Sequence, residues 1–322
     1  MRKINGVPVE AHTDLSSLTG GEVLKWDADN GKMAWEDQDS TGYVPGPGWL
    51  GGRGLWGGGH NGADVNTIDY ITIATPGNAT DFGDLSVTRR TYCGACSNNS
   101  RGIWTGGAGA SNVIDYITVS TLGNATDFGN LTVGRQNSSA CSDGTYGVIG
   151  GGNPGNYNTI DYVTIATLAN AQDFGDLTVG RAYLSAVGNA TRGLFGGPTT
   201  TIDYITIATP GNATDFGDLS VGRETLGSTG DATRGVWVGG YGGQDVIDYV
   251  TVDTTGNATD FGNLTVARYG LSGCSDNTKG VFAGHHTFNT VMDYITIQTL
   301  GNALDFGDMS VGRRDAAALS GD

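Results

Sequence analysis

Of 322 residues, 56 are Gly and 7 are Pro, and no Gly-X-Y period runs through the chain, which excludes collagen. The 29 Asp and 13 Arg are accompanied by only 4 Glu and 4 Lys, so the strong helix formers among the charged residues are nearly missing and an all-helical fold is excluded. The formal net charge of −16 repels phosphate backbones and anionic membrane surfaces, which predicts no nucleic-acid partner and no membrane insertion.

The segment from Met1 to Glu10 lacks the apolar stretch of a signal peptide, and no apolar run of 18 residues follows, so a soluble chain made in a cytoplasm is expected. Residues 1–40 hold Glu10, Glu22 and Glu36 and Lys3, Lys25 and Lys32, three of the four residues of each type, and read as a separate module. Within it, Glu22 to Trp26 and Lys32 to Glu36 alternate apolar and polar residues around Asp29-Asn30-Gly31, which predicts a β-hairpin. A hairpin this small cannot bury its own tryptophans, so Val23, Trp26 and Trp35 are expected to dock on another surface. Residues 41–50, with Val44-Pro45-Gly46-Pro47-Gly48, read as a Gly/Pro linker to a second domain at 51–322.

That second domain is a repeat. Asp-Tyr recurs at Asp69, Asp115, Asp161, Asp203, Asp248 and Asp293; twelve residues after each comes Asp-Phe-Gly, and eight residues later an arginine: Arg89, Arg135, Arg181, Arg223, Arg268 and Arg313. Each copy reads as four strands, for example Ser139 to Ser142 (a), Gly147 to Gly151 (b), Ile160 to Thr167 (c) and a strand d with Phe174, Leu177 and Val179. Strand c is apolar on both faces, Ile68 and Tyr70 on one and Ile71 and Ile73 on the other, and so needs cover on both sides. Between c and d, the Gly77-Asn78-Ala79-Thr80 segment and its equivalents supply turn residues tolerant of left-handed backbone.

Four-stranded units of this length, apolar on both faces, predict an all-β chain folded as a six-bladed β-propeller. The turn Gly230-Asp231-Ala232-Thr233-Arg234-Gly235 has the same length as the join of Gly321-Asp322 to Gly51-Gly52-Arg53-Gly54. Asp315 to Asp322 is therefore expected to be strand a of the blade whose other strands span Arg53 to Val87, closing the ring.

With the glycine pairs Gly57-Gly58, Gly106-Gly107 and Gly239-Gly240, an aromatic in strand d and the arginine after it, residues 50–322 resemble kelch repeats, although Phe82 and its equivalents stand where kelch repeats usually carry Trp. The string Ile-Asp-Tyr-Ile-Thr-Ile-Ala-Thr with Gly-Asn-Ala-Thr-Asp-Phe-Gly-Asp resembles the kelch-like virion proteins of tailed bacteriophages, and the Gly-Glu-Val-Leu-Lys-Trp-Asp segment resembles short modules of phage tail fibres. The resemblance implies a non-enzymatic virion protein of a tail or tail fibre. Residues 1–48 would hold it to other virion proteins and the propeller would meet a host-surface glycan or protein. A capsid decoration or head-fibre protein is the alternative, and a carbohydrate-active propeller enzyme a further one.

Six-fold recurrence of the acids and arginines marks framework rather than catalysis, because a catalytic centre needs different groups converging once. Asp69 and Asp81 with their equivalents are expected to hold turns, and Arg89 with its equivalents to tie loops between blades. Cys96, Cys141 and Cys274 share one strand-a position and, with Cys93, read as small buried residues rather than ligands. No catalytic group, metal or cofactor is predicted. Blade-specific chemistry gathers on the b-to-c loops and the d-to-a connections: His60, Asn61, Tyr92, Tyr157, Tyr183, Tyr241, Tyr269, His285, His286 and Phe288 are the candidate binding residues. Such a mixture of rings and small polar groups suits glycan or protein contact. Ring closure also makes His60 and His285-His286 neighbours, where a metal is conceivable.

Overall fold

The computed structural model describes residues 2–4, 7–9, 22–27, 32–37, 51–89 and 93–321, and the chain forms two compact units, Met1–Pro45 and Gly46–Asp322. In the first unit, Glu22–Asp27 and Lys32–Asp37 form the expected hairpin, with Leu24 opposite Trp35 and Trp26 opposite Met33. A second antiparallel pair, Arg2–Ile4 with Val7–Val9, joins that hairpin through Val9 opposite Met33, giving a four-stranded sheet. The sequence pattern missed this pair because strands of three residues offer too few alternating positions to register as a period. The turn Asp29-Asn30-Gly31 and the 41–50 linker lie outside the described residues.

The second unit is a β-propeller of six four-stranded antiparallel blades in a ring. Blade 2 serves as the pattern: strand a is Gly94–Ser97, b Arg101–Thr105, c Val113–Thr118 and d Thr126–Asn130. In blade 1, strands Arg53–Gly57, Thr67–Thr72 and Thr80–Asp84 receive their strand a from the C-terminal Ala317–Gly321, with Ala317 opposite Gly57 and Gly321 opposite Arg53. Closure therefore occurs by the strand the sequence indicated. The strands themselves are shorter than the pattern suggested. In blade 3, strand c stops at Thr164 and strand d spans Gln172–Asp176, leaving Val179 65% exposed.

The two apolar faces of strand c have the expected cover, and it comes from both neighbouring blades. Ile68 and Phe82 pack with Trp104 and Ile117 of blade 2, whereas Ile71 and Ile73 pack with Val281 and Phe306 of blade 6. Six such clusters lie between successive blades. Burial of large strand-b side chains drives this packing, and the indole N–H is satisfied across the interface: Trp104 Nε1 donates to the Ala317 carbonyl at 3.0 Å and Trp237 Nε1 to the Ser185 carbonyl at 3.1 Å.

The Asp-Phe-Gly motif has a specific cause. Its glycine sits opposite a β-bulge between Ile68 and Asp69, and a Cβ added to Gly83 would lie 2.5 Å from the Gly123 carbonyl oxygen of the next blade's c-to-d turn. That turn does more than the local chain reversal expected from the sequence. The Asn124 side chain accepts a hydrogen bond from the backbone N–H of Asp84, and Asn170, Asn212, Asn257, Asn302 and Asn78 repeat the link around the ring. The turn sequence recurs because each turn is a clasp on the preceding blade.

The repeated aspartates and arginines also prove to be inter-blade structure. Strand-c Asp115, fully buried, pairs with Arg89 of the preceding blade at 2.8 Å and accepts the Ser86 hydroxyl, so it does not hold a turn. Equivalent pairs join Arg135 to Asp161, Arg181 to Asp203, Arg223 to Asp248, Arg268 to Asp293 and Arg313 to Asp69. Arg89 and its equivalents thus do tie blades together. Asp81 is exposed on strand d. The turn-holding acids are instead those of the a-to-b connection, where the Asp143 carboxylate accepts the N–H groups of Thr145 and Tyr146, and Asp231 and Asp276 do likewise.

Candidate functional site

The b-to-c loops and d-to-a connections adjoin one another on one face. His60 and Arg314 exchange backbone hydrogen bonds of 2.9 and 3.1 Å, the Tyr241 N–H donates to the Glu224 carbonyl, and the His285 N–H to the Arg313 carbonyl. At the middle of that face the second residue after five of the arginines leaves the ordinary backbone region: Asn137, Tyr183, Thr225, Gly270 and Asp315 have φ of 57, 62, 59, 85 and 60°. Their amides form a chain around the axis, Tyr183 to Asn137, Thr225 to Tyr183, Gly270 to Thr225 and Asp315 to Gly270, each donating to a carbonyl at 3.0 to 3.2 Å. Sequence reasoning missed this collar because five different residue types occupy one position. The only available signal was the fixed offset from the arginine. Below it, the six inner strands enclose a narrow channel of about 70 Å³ lined by small residues such as Ser139, Ala140, Ala186 and Ser228.

Of the candidate binding residues, the structure gathers those of blades 5, 6 and 1 into an arc of rings. Tyr241, 59% exposed, meets Tyr269 edge-on at 5.2 Å. Tyr269 stacks on His286 at 4.4 Å with the planes 8° apart, and His286 stacks on His285 at 4.6 Å. Phe288 follows on the same loop, edge-on to His60 at 5.7 Å with the Arg314 guanidinium 5.8 Å over its ring. Asn61 is exposed in the turn beside His60. Tyr157, on blade 3, and Tyr183, in the axial collar, stand apart from this arc, and Tyr92 lies outside the described residues. Val23, Trp26 and Trp35 are placed on the hairpin by backbone register alone.

Two of the arc's histidines have local polar partners. The His285 Nδ1 accepts the Thr287 N–H at 3.1 Å, and the His60 Nδ1 faces the Asp64 carboxylate at 3.2 Å. Among the described residues no three His, Cys, Asp or Glu side chains gather to hold an ion. Burial, His286 and Arg268 all lower the pKa of His285, which keeps its ring neutral and able to stack at pH 7.

All four cysteines are buried free thiols. Cys141 lies where a side chain on Gly193 of the next blade would go, 2.6 Å from that position's Cβ, and Cys96 stands in the same relation to Gly147. The thiol is a small hydrophobe filling the space over a strand-b glycine. Burial pushes the Cys93 pKa up to about 11 and raises those of Cys96, Cys141 and Cys274 as well. A thiol-specific disulfide reagent at pH 8 is thus expected to leave the native protein unmodified over the time in which it labels the denatured chain completely. A thiol that reacts rapidly in the native state would contradict this burial. Below about pH 8.5 the thiols are protonated in both states and stability is level with pH; above it unfolded thiols ionise while the buried ones do not, so stability falls by about 1.4 kcal/mol per pH unit per thiol. For Cys93 the loss ends near pH 11.

No protein-family model matches this chain, and no curated protein matches its sequence.

Proposed function

We propose that this chain is a non-enzymatic virion protein, a component of a phage tail or tail fibre similar to kelch-like propeller virion proteins. Its first unit attaches to other virion proteins, and its propeller presents the variable face to a glycan or protein on the host surface. The observation that carries this reading is the arc of rings from Tyr241 to His285. It is built by the loops that differ between blades, on a scaffold whose remaining parts repeat six-fold. Aromatic faces of this kind accept the C–H face of a sugar ring or a partner's apolar side chain, and the flanking Asn, Arg and His groups satisfy polar atoms at the rim. The division into two compact units supports anchor and display as separate tasks.

Purified protein is expected to compete with the encoding phage for host cells, and the double variant Tyr241→Ala/Tyr269→Ala to compete at least about 10-fold less well while still unfolding cooperatively, since the exposed Tyr241 ring and the half-buried Tyr269 ring together contribute roughly 1–2 kcal/mol to contact. Undiminished competition by the double variant would remove the arc from the reading. Deletion of residues 1–45 is expected to abolish incorporation into particles while residues 46–322 keep a cooperative unfolding transition. Purified particles that lack the chain by mass spectrometry would overturn the virion assignment. Location of the chain on the head rather than the tail would favour a decoration protein. Glycan hydrolysis lost on substituting a loop residue would favour the enzyme.

A further inference from the structure

On the face opposite the arc, the six blades repeat a cationic cap that one of them lacks. Strand b opens with a cation in five blades: Arg53, Arg101, Arg192, Arg234 and Lys279. Each lies over the strand-c tyrosine of its own blade, with Arg101 4.6 Å from the Tyr116 centroid and Arg192 4.7 Å from that of Tyr204. Each also donates to a carbonyl of a neighbouring blade, Arg53 to Val119, Arg101 to Ile165, Arg192 to Val252, Arg234 to Ile297 and Lys279 to Ala74. The cap therefore spans each of these five grooves between blades, with ring attraction at one end and a charge-assisted hydrogen bond at the other.

In blade 3 the same position is Tyr146, which has no charge and no fork of donors. Its ring instead meets Tyr162 edge-on at 5.8 Å. The groove between blades 3 and 4 consequently stays hollow. A hollow of about 140 Å³ lies between the two tyrosines and Ile207, Ala208 and Pro210 of blade 4, and a second of about 250 Å³, lined by blade 3 alone, adjoins the same tyrosines beside Asn170 and Gln172. Ile207 occupies the position of Val119, Ile165, Val252 and Ile297, whose carbonyls receive the cap elsewhere. A second departure falls in the same groove. Gln172 stands where the other blades have Thr80, Thr126, Thr214, Thr259 and Leu304, and its Oε1 accepts the Tyr162 hydroxyl at 2.7 Å.

We propose that this groove binds a cationic side chain of a partner polypeptide, an arginine foremost, whose guanidinium sits against the Tyr146 and Tyr162 rings and donates to the Ile207 carbonyl. The partner supplies in trans the cap that the other blades supply from strand b. Arginine is favoured because four of the five internal caps are arginines and its planar fork can face a ring and reach a carbonyl together. The chain's net charge of −16 draws a basic segment toward it. This site is independent of the ring arc and of the virion reading.

The test uses the full chain carrying isotope-labelled tyrosine rings, titrated with N-acetyl-arginine methylamide and, separately, with the norleucine analogue. The arginine compound is expected to give saturable shifts of the Tyr146 and Tyr162 ring signals, half-complete on the order of tens of millimolar as one cation–ring contact and one hydrogen bond allow. The norleucine compound should give none. Tyr146→Arg builds the sixth internal cap and is expected to abolish the response while leaving the melting temperature equal or higher. Tyr162→Leu, which keeps the groove but removes a ring, should weaken the response at Tyr146 several-fold. Shifts that are linear and alike for both compounds, or a response undiminished in Tyr146→Arg, would overturn the proposal.

Discussion

A chain ending before Asp315 is expected to lose the folded propeller altogether. Strand Ala317–Gly321 is the inner strand of blade 1, and its removal unpairs five residues of Arg53–Gly57 at the ring centre. Leu319, 3% exposed, packs in the cluster with Leu55 and Trp104, and the Trp104 indole loses the Ala317 carbonyl that it meets at 3.0 Å. Each buried backbone group left without a partner costs about 1–3 kcal/mol, and opening the ring exposes two blade faces that must otherwise be covered. Together these exceed the roughly 5–15 kcal/mol by which domains are stable. The truncated chain should therefore show no cooperative denaturant transition. Melting within a few degrees of the intact protein would mean that the ring holds without its closing strand. The single change Leu319→Ala, which leaves the strand in place, is expected to cost about 2–5 kcal/mol because Gly102 of blade 2, against which its methyl groups pack, has no side chain to fill the space.

The change Asp248→Ala is expected to cost about 3–5 kcal/mol, read as a lower denaturant midpoint with an unchanged slope. Its carboxylate is fully buried, 2.7 Å from Arg223 and 2.6 Å from the Ser220 hydroxyl. Alanine leaves the Arg223 guanidinium among apolar groups with only the Val221 and Trp237 carbonyls to accept from it. Removing both charges together, as Arg223→Met with Asp248→Val, should cost clearly less than Asp248→Ala, because the penalty lies in the unpaired charge and not in the loss of the pair. The equivalent arginines feel this balance directly: burial lowers the pKa of Arg181, Arg268 and Arg313, and the partner aspartate opposes the shift in each case. A double variant as unstable as the single one would show that the pair itself is strongly stabilising.

These inter-blade links also divide what a one-dimensional pattern can reveal from what it cannot. The Asp-Phe-Gly and Gly-Asn-Ala-Thr strings were legible as repeats, but each also forms half of a clasp whose other half lies about 40 residues away on another blade, and only the local turn could be read from the sequence. Asp69 and Arg313 recur at a fixed spacing within their own blades, and yet they pair with each other across the closed ring. Loop variability identified Tyr241, Tyr269, His285 and His286 as candidates, and the ring stack that joins them arises only when blades 5 and 6 become neighbours. The substitution at Tyr146 passed unnoticed because one tyrosine among five cations looks like ordinary drift until the carbonyl and tyrosine that the cations bridge are seen together.

The sequence by itself determined the number of blades, the four strands of each, the closing role of the C-terminal strand and the hairpin before the propeller. Alternation, turn residues and repeat length act within a few residues of one another and leave a readable period. Only the tertiary structure decided the partner of each buried aspartate, the collar of left-handed residues around the axis, the arc of stacked rings and the one uncapped groove. All four are properties of interfaces between blades, where the neighbour in space is a residue from another turn of the repeat and identity at one position says nothing about what it faces.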